Sequence, residues 1–229
     1  RNYILSKLKC VTKQNENDIA IIPNNNLIKN HLKSKNIKSR IIYLSKNKNV
    51  HLKNKLINNN FINSANFQNL NFLFELSKYM KLNKKTVLKT INNFKPLKYR
   101  QEVIYKSKYL KIINDSKSTT LSSTIPFLET NKKIFWILGG QFKKGDIFNL
   151  NKKYYKNLEA YIYGKDRYIF FKLFKNKFKV NLSKDLNNTL KLIPKFENVR
   201  SRVVLLFSPS AASFDQFKNF EDRGKKFNM

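Results

Sequence analysis

Asn114-Asp115-Ser116-Lys117-Ser118-Thr119 is the stretch on which the reading of the fold turns. An apolar, β-prone run, Tyr109-Leu110-Lys111-Ile112-Ile113, precedes it, and Thr120 to Glu129 follows as a helix that opens on small hydroxyl residues. The stretch is therefore the end of a strand, a polar loop and a helix N-terminus. Such a junction offers free backbone N–H groups and the positive end of a helix dipole, which together suit an anion. Lys117 adds a full positive charge. Asp115 adds an acceptor that can hold a hydroxyl or orient the lysine. A plain βα loop with an N-cap is the competing reading of the same six residues.

Outward from this point the second half of the chain alternates. Glu102 to Tyr105 and Tyr109 to Ile113 read as a hairpin. Helix 120–129, strand Ile134 to Leu138, helix Asn151 to Leu158 and strand Ala160 to Tyr163 come next. Helix Arg167 to Phe174, strand Phe178 to Val180, helix Ser183 to Leu192, strand Val203 to Phe207 and a helix from Asp215 close the chain. The class is α/β, with a mainly parallel, doubly wound sheet carrying helices on both faces, and ligands in such folds collect at the carboxyl ends of the strands.

That rule brings three loops into one view. The first is the opening stretch. The second, Gly139-Gly140-Gln141-Phe142-Lys143-Lys144-Gly145-Asp146, holds three of the chain's 5 glycines, so its backbone is expected to need positive φ or a close approach. The third runs from Ser208 to Phe217 through small residues, with Ser213 expected at a helix N-terminus. Together they supply Lys117, Lys143 and the hydroxyls of Thr119 and Ser213, a set suited to a small ligand with two carboxylates. Each charge-assisted hydrogen bond there is worth about 1.5–3 kcal/mol. The competing reading is that each lysine is simply solvated.

In the first half, Arg1 to Cys10 reads as the end of a helix, Asp18 to Ile22 and Arg40 to Leu44 as strands, and Leu27 to Leu32 as a short helix. Val50 to Ile62 has a strand-like alternation that suggests a hairpin. Asn66 to Met80 carries a helical stripe of Phe67, Leu70, Leu73, Phe74 and Leu76, and Asn83 caps a second helix through Ile91. Phe94-Lys95-Pro96-Leu97 reads as a linker, because proline ends the helical pattern. The boundary divides the chain into domains 1–96 and 97–229.

A chain of 229 residues with 41% hydrophobic content can bury a real core. A single cysteine, Cys10, excludes an internal disulfide; His31 and His51 are isolated, so no zinc-type cluster is visible; no apolar run reaches membrane-spanning length. The formal net charge of +33 points to a basic nucleic-acid-binding module as the alternative function. Its most suggestive segment is Lys152 to Lys179, where Tyr154, Tyr155, Tyr168, Phe170 and Phe171 alternate with lysines. Against that reading, lysine is spread along the chain together with asparagine, isoleucine, phenylalanine and tyrosine. This is the signature of compositional drift, whereas a selected surface concentrates charge on one face. The chain begins with Arg inside what reads as mid-domain sequence, so a fragment of a longer protein is expected.

Three segments carry a family resemblance: Asn114 to Thr119, the Gly139-Gly140 loop with Lys143 and Asp146, and Ser208 through Gly224 (SPSAASFDQFKNFEDRG). Together they resemble the Mur ligases, the last segment being similar to the members that add D-glutamate. The resemblance runs over the whole chain. It implies the C-terminal part of a P-loop-type central ATPase domain (1–96), followed by a Rossmann-like domain that binds the amino acid (97–229), hinged near Phe94 to Leu97. The phosphate-binding glycine loop with its lysine is not in this sequence, so the chain alone is expected to be inactive. The implied activity is an ATP-dependent, amide-forming ligation of D-glutamate to UDP-N-acetylmuramoyl-L-alanine through an acyl phosphate, using ATP and magnesium. It belongs to peptidoglycan synthesis, hence to cell-wall biogenesis, cell shape and division. A cytoplasmic monomer with no membrane insertion and no specific nucleic-acid partner is expected.

The resemblance also assigns residues. Lys7, in Tyr3-Ile4-Leu5-Ser6-Lys7, falls where the family carbamylates a lysine to hold magnesium, and with Lys117 it is a catalytic candidate. Asn66 and Asn69 match the asparagines near adenine, although Ala65 replaces the usual histidine before them. Arg100 matches an arginine near the ATP phosphates, with Tyr99 where a histidine is usual. Asp115 is expected on the nucleotide ribose. Lys117, Thr119, Lys143, Ser213, Phe214 and Phe220 fall where the family holds D-glutamate. Asn24-Asn25-Asn26 departs from an acidic family segment.

Overall fold

A computed structural model describes residues 2–45, 48–56, 64–197 and 200–229, without the side chains of residues 2, 3, 53, 54 and 64–66. The chain separates into two compact units, Arg1–Phe94 and Lys95–Met229.

The first unit is built on β1 (Ile19–Pro23) and β2 (Arg40–Leu44), which pair in parallel with Ile19 opposite Arg40 and Pro23 opposite Leu44. A parallel pair needs a crossover, and α2 (Asn26–Lys33) supplies it. The Asn25 side chain starts that helix by accepting from the Leu27 and Ile28 N–H groups. α1 (Asn2–Thr12) lies before β1. Val11, Ala20, Ile22 and Leu32 form one small core. A second core joins Leu52 and Leu56 to Phe67, Leu70 and Phe74 of α3 (Ser64–Tyr79) and to Val87 and Ile91 of α4 (Lys84–Asn93). Asn83 caps α4 through the Lys85 and Thr86 N–H groups, as expected.

Two expectations change here. Val50–Lys55 is a 3-10 helix, so the described part of the expected hairpin is absent; residues 57–63 lie outside the described residues. Leu73 and Leu76 are exposed, so the buried stripe of α3 narrows to Phe67, Leu70 and Phe74.

The second unit is a six-stranded sheet in the order β3-β4-β8-β5-β6-β7. Its strands are β3 (Glu102–Lys106), β4 (Leu110–Asn114), β5 (Lys133–Gly139), β6 (Leu158–Tyr163), β7 (Lys179–Leu182) and β8 (Val203–Phe207). β3 and β4 form the expected antiparallel hairpin, and every other neighbouring pair is parallel. Alternation along the strands divides the core in two. Ile134, Trp136 and Leu138 of β5 and Ala160 and Ile162 of β6 face one side. There they meet Leu121 and Leu128 of α5 (Leu121–Leu128) and Phe170 and Phe174 of α6 (Arg167–Phe174). Ile137, Tyr161, Tyr163, Leu205 and Phe207 face the other side, packed with Leu186 of α7 (Leu186–Leu192) and Phe227 of α8 (Phe220–Phe227). The sheet is mixed and covered on both faces, as the alternation of elements predicts.

The expected helix Asn151 to Leu158 is a short 3-10 helix, Lys152–Asn157, and Leu158 already belongs to β6. The last helix starts at Phe220 rather than Asp215; Asn219 caps it by accepting from the Asp222 N–H. Ser213 therefore does not stand at a helix N-terminus. Its carbonyl accepts from the Gln216 and Phe217 N–H groups in a turn.

Candidate functional site

β4, β8 and β5 are adjacent and parallel, so the loops after Asn114, Phe207 and Gly139 leave the same edge of the sheet. Hydrogen bonds tie the three together. The Asp115 N–H donates to the Phe207 carbonyl, and the Ser208 hydroxyl donates to Asp115 Oδ2 at 3.1 Å. The Gly139 N–H donates to the Pro209 carbonyl, while Gln141 and Ala212 exchange both backbone hydrogen bonds. Asp146 Oδ2 accepts from the Leu121 N–H, so the glycine loop holds the start of α5. Beneath the rim the fully buried Thr124 hydroxyl gathers those of Ser118, Ser208 and Ser210 at 2.6–2.8 Å.

Glycine is required in the second loop. Gly139 has φ +143°, and a Cβ there would lie 2.1 Å from the Tyr163 carbonyl oxygen; Gly140 has φ +127° with the Ala212 carbonyl 2.3 Å from its missing Cβ. Positive φ also occurs at three non-glycine residues of this unit, Tyr99, Gln101 and Ser210. Such residues carry local strain, and they cluster where the backbone is otherwise fixed. The Tyr99 carbonyl accepts from the Lys117 N–H, and the Gln101 N–H donates to Asp115 Oδ1 at 3.1 Å.

Burial pushes the Asp115 carboxyl up to about 7; the hydrogen bonds from Gln101 and Ser208 and the charge of Arg100 pull the other way. Lys117 is half-buried, with its Nζ 3.9 Å from the centre of the Phe220 ring. Phe220 is drawn in further because its carbonyl accepts from the Ser116 hydroxyl. Thr119 and Lys143 are exposed, Ser213 is buried, and Phe214 is 70% exposed. Asp115, Lys117, Thr119, Lys143, Ser213 and Phe220 thus all stand on or beside the one rim, while Phe214 points to solvent. Arg100 is exposed on the same unit. Lys7 and Asn69 are exposed on α1 and α3 of the other unit, and Asn66 sits in the first turn of α3 among the side chains not described.

Sequence reasoning missed Arg223. It is fully buried, and its guanidinium donates to the Ser116 hydroxyl, the Ser116 carbonyl and the Ala211 carbonyl at 2.7–3.0 Å. Burial lowers its pKa, while nearby Tyr163 and Asp215 raise it. One cation thereby fastens α8 to two of the three rim loops.

Known proteins with related sequences match the chain. Over 167 residues the chain is 31% identical to UDP-N-acetylmuramoylalanine–D-glutamate ligase of Wolbachia sp. subsp. Brugia malayi, covering 72% of this chain and 33% of that protein. Against the same-named ligase of Buchnera aphidicola subsp. Schizaphis graminum it is 35% identical over 196 residues, covering 83% of this chain and 42% of that one. The chain matches the Mur ligases.

It spans between a third and somewhat more than half of the length of such Mur ligases, 33% in the Wolbachia protein and 57% in that of Hydrogenobaculum sp.. Two solved Mur-ligase structures share its fold. UDP-N-acetylmuramate–alanine ligase of Thermotoga maritima superposes with a TM-score of 0.53 at 18% identity, over 72% of this chain and 37% of that one. A murein peptide ligase of Psychrobacter arcticus gives 0.52 at 11% identity, over 98% and 54%. No family model matches the chain.

No helix among the described residues is long and apolar enough to cross a membrane. The described residues also hold no group of three or more His, Cys, Asp or Glu side chains able to bind a metal ion.

Proposed function

We propose that this chain is the amino-acid-gripping part of an ATP-dependent ligase that joins D-glutamate to UDP-N-acetylmuramoyl-L-alanine in peptidoglycan synthesis. The sequence match to ligases of that name carries the reading. In this reading residues 1–96 are the C-terminal part of a P-loop-type central domain and residues 97–229 a Rossmann-like C-terminal domain.

Lys117 and Lys143 take the two carboxylates of D-glutamate, with Thr119 and Ser213 hydrogen-bonding to it and Phe214 and Phe220 bordering it. Held from several loops at once, the amino acid presents its amine to the activated alanyl carboxyl without a search over orientations. The rim suits this task because the loops after Asn114 and Phe207 are braced by the Thr124 hydroxyl cluster and by Arg223, and the Lys143 loop by its backbone bonds to Pro209 and Ala212 and by Asp146 on Leu121, so the lysine-bearing segments start from fixed backbone.

The residues also fit a nucleotide. Asp115 is a carboxylate acceptor next to the cation of Arg100, suited to a ribose hydroxyl and to phosphates. When bound, ATP supplies the phosphoryl group that turns the alanyl carboxylate into an acyl phosphate. For magnesium, the described residues make no site by themselves, and Lys7 once carbamylated would contribute one oxygen ligand.

The test joins this chain to the N-terminal half of one of the named ligases and measures phosphate release. Release that needs both UDP-N-acetylmuramoyl-L-alanine and D-glutamate is expected; a folded fusion that releases none overturns the reading. In that fusion Lys143→Ala should raise the KM for D-glutamate about tenfold or more, the equivalent of one charge-assisted hydrogen bond, and leave the KM for ATP nearly unchanged.

A further inference from the structure

At the end of the sheet opposite the rim, the starts of β4 and β8 border a groove of about 370 Å³. Lys106, Lys108, Lys111, Lys132 and Arg202 line it, together with Ser107 and Tyr109, and no carboxylate is among the lining residues. From Lys111 to Asp115 is about 13 Å along the strand, so the groove is separate from the rim.

In a chain this basic, lysines alone mean little. The neighbouring strands show what sets the groove apart. At the same end of the sheet, Glu159 of β6 stands between Lys179 and Lys133 at 3.0 Å and 3.7 Å and offsets one of their two charges. In the other unit, Glu75 does the same for Lys48 and Lys78. None of the five groove cations forms an ion pair among the described residues. Lys111 is also half-buried; burial lowers its pKa, and repulsion from Lys132 and Lys106 lowers it further. The fold thus gathers converging cations around a concavity whose described lining includes no carboxylate.

We infer that this groove binds a compact oligoanion bearing two or more phosphate groups, gripped by Lys106, Lys111, Lys132 and Arg202 with Ser107 as a hydroxyl donor. A phosphate chain fits better than a single carboxylate. Several cations around one small space demand several negative charges close together, and phosphate oxygens accept from many donors at once. The site does not depend on the ligase reading, since it shares no residue with the rim.

The experiment is calorimetric titration of the 229-residue chain with inorganic tripolyphosphate at physiological salt, with orthophosphate as the comparison. Two variants remove equal charge from exposed positions. Lys106→Gln/Lys132→Gln/Arg202→Gln alters the groove, and Lys152→Gln/Lys153→Gln/Lys156→Gln alters another part of the surface. The groove variant should bind tripolyphosphate at least about tenfold more weakly and lose most of the ligand-induced rise in Tm, while the control variant changes binding less than about twofold. Equal weakening in both variants overturns the proposal, because the binding would then report net charge. So does tripolyphosphate binding no tighter than orthophosphate. A short single-stranded oligonucleotide that displaces tripolyphosphate from the wild type and is weakened equally by both variants also overturns it, in favour of an extended nucleic-acid surface.

Discussion

Inside the rim, burial raises the Asp115 carboxyl from 3.8 to about 7, even though Gln101, Ser208 and Arg100 all favour its ionised form. Between those two values the folded chain holds a proton that the unfolded chain has released. The contribution of Asp115 to stability is therefore full below about pH 4, declines as pH rises, and is gone above about pH 7. Asp115→Asn keeps an acceptor for Gln101 but removes the titration. Its melting temperature should match the wild type near pH 4 and exceed it at pH 8, in thermal melts run across that interval. Parallel curves for the two proteins would place the titration elsewhere. The residue's capacity to accept was legible in the sequence; its burial was not, because that depends on Phe207 and Ser208, more than 90 residues away. Arg223 was invisible for a related reason. A long cation in a lysine-rich chain reads as solvated, and only the closing of α8 over Ser116 and Ala211 buries it. Its one advance signal was the identity of the residue, arginine where lysine supplies most cations.

The elements that the sequence misplaced share a physical ambiguity. Val50, Leu52 and Leu56 alternate as a strand would, but Leu52 and Leu56 are also four apart, the spacing of one helical face, and the structure buries both beside α3 in the helical sense. At Asn151 the start of the element was legible to within one residue, yet the 3-10 helix that Asn151 caps ends at Asn157 because Leu158 is taken into β6. At the C-terminus, Asn219 with Glu221 and Asp222 was the better start signal than Asp215, since acids belong in a first turn. The glycine loop, by contrast, was legible because a chain so poor in glycine keeps it only where the backbone has no alternative. Gly139→Ala tests that logic. It forces a side chain both into a positive-φ position and against the Tyr163 carbonyl of the next strand. Destabilisation of roughly 3 kcal/mol or more is expected, read as a lowered urea midpoint with an unchanged slope. A loss below 1 kcal/mol would mean the β5–β6 register can shift to make room.

Across the whole molecule, the two units differ in how much they can hold together alone. Among the described residues, Lys95–Met229 has a mixed six-stranded sheet with a core on each face, whereas Arg1–Phe94 has one parallel strand pair and two small clusters. Expressed alone, Lys95–Met229 should unfold in one cooperative transition; Arg1–Phe94 alone should melt broadly, as calorimetry would show. A sharp transition from the smaller unit would reverse that ranking. Among the described residues, β1 and β2 pair only with each other, so each keeps an outer border of backbone amides and carbonyls with no neighbouring strand. That border is a template for a strand of another molecule. At low ionic strength the formal +33 charge keeps copies apart, and added electrolyte shortens the reach of the repulsion. Concentrated samples should therefore stay dispersed in dilute buffer and begin to scatter light as sodium chloride is raised, the reverse of how most proteins are kept in solution.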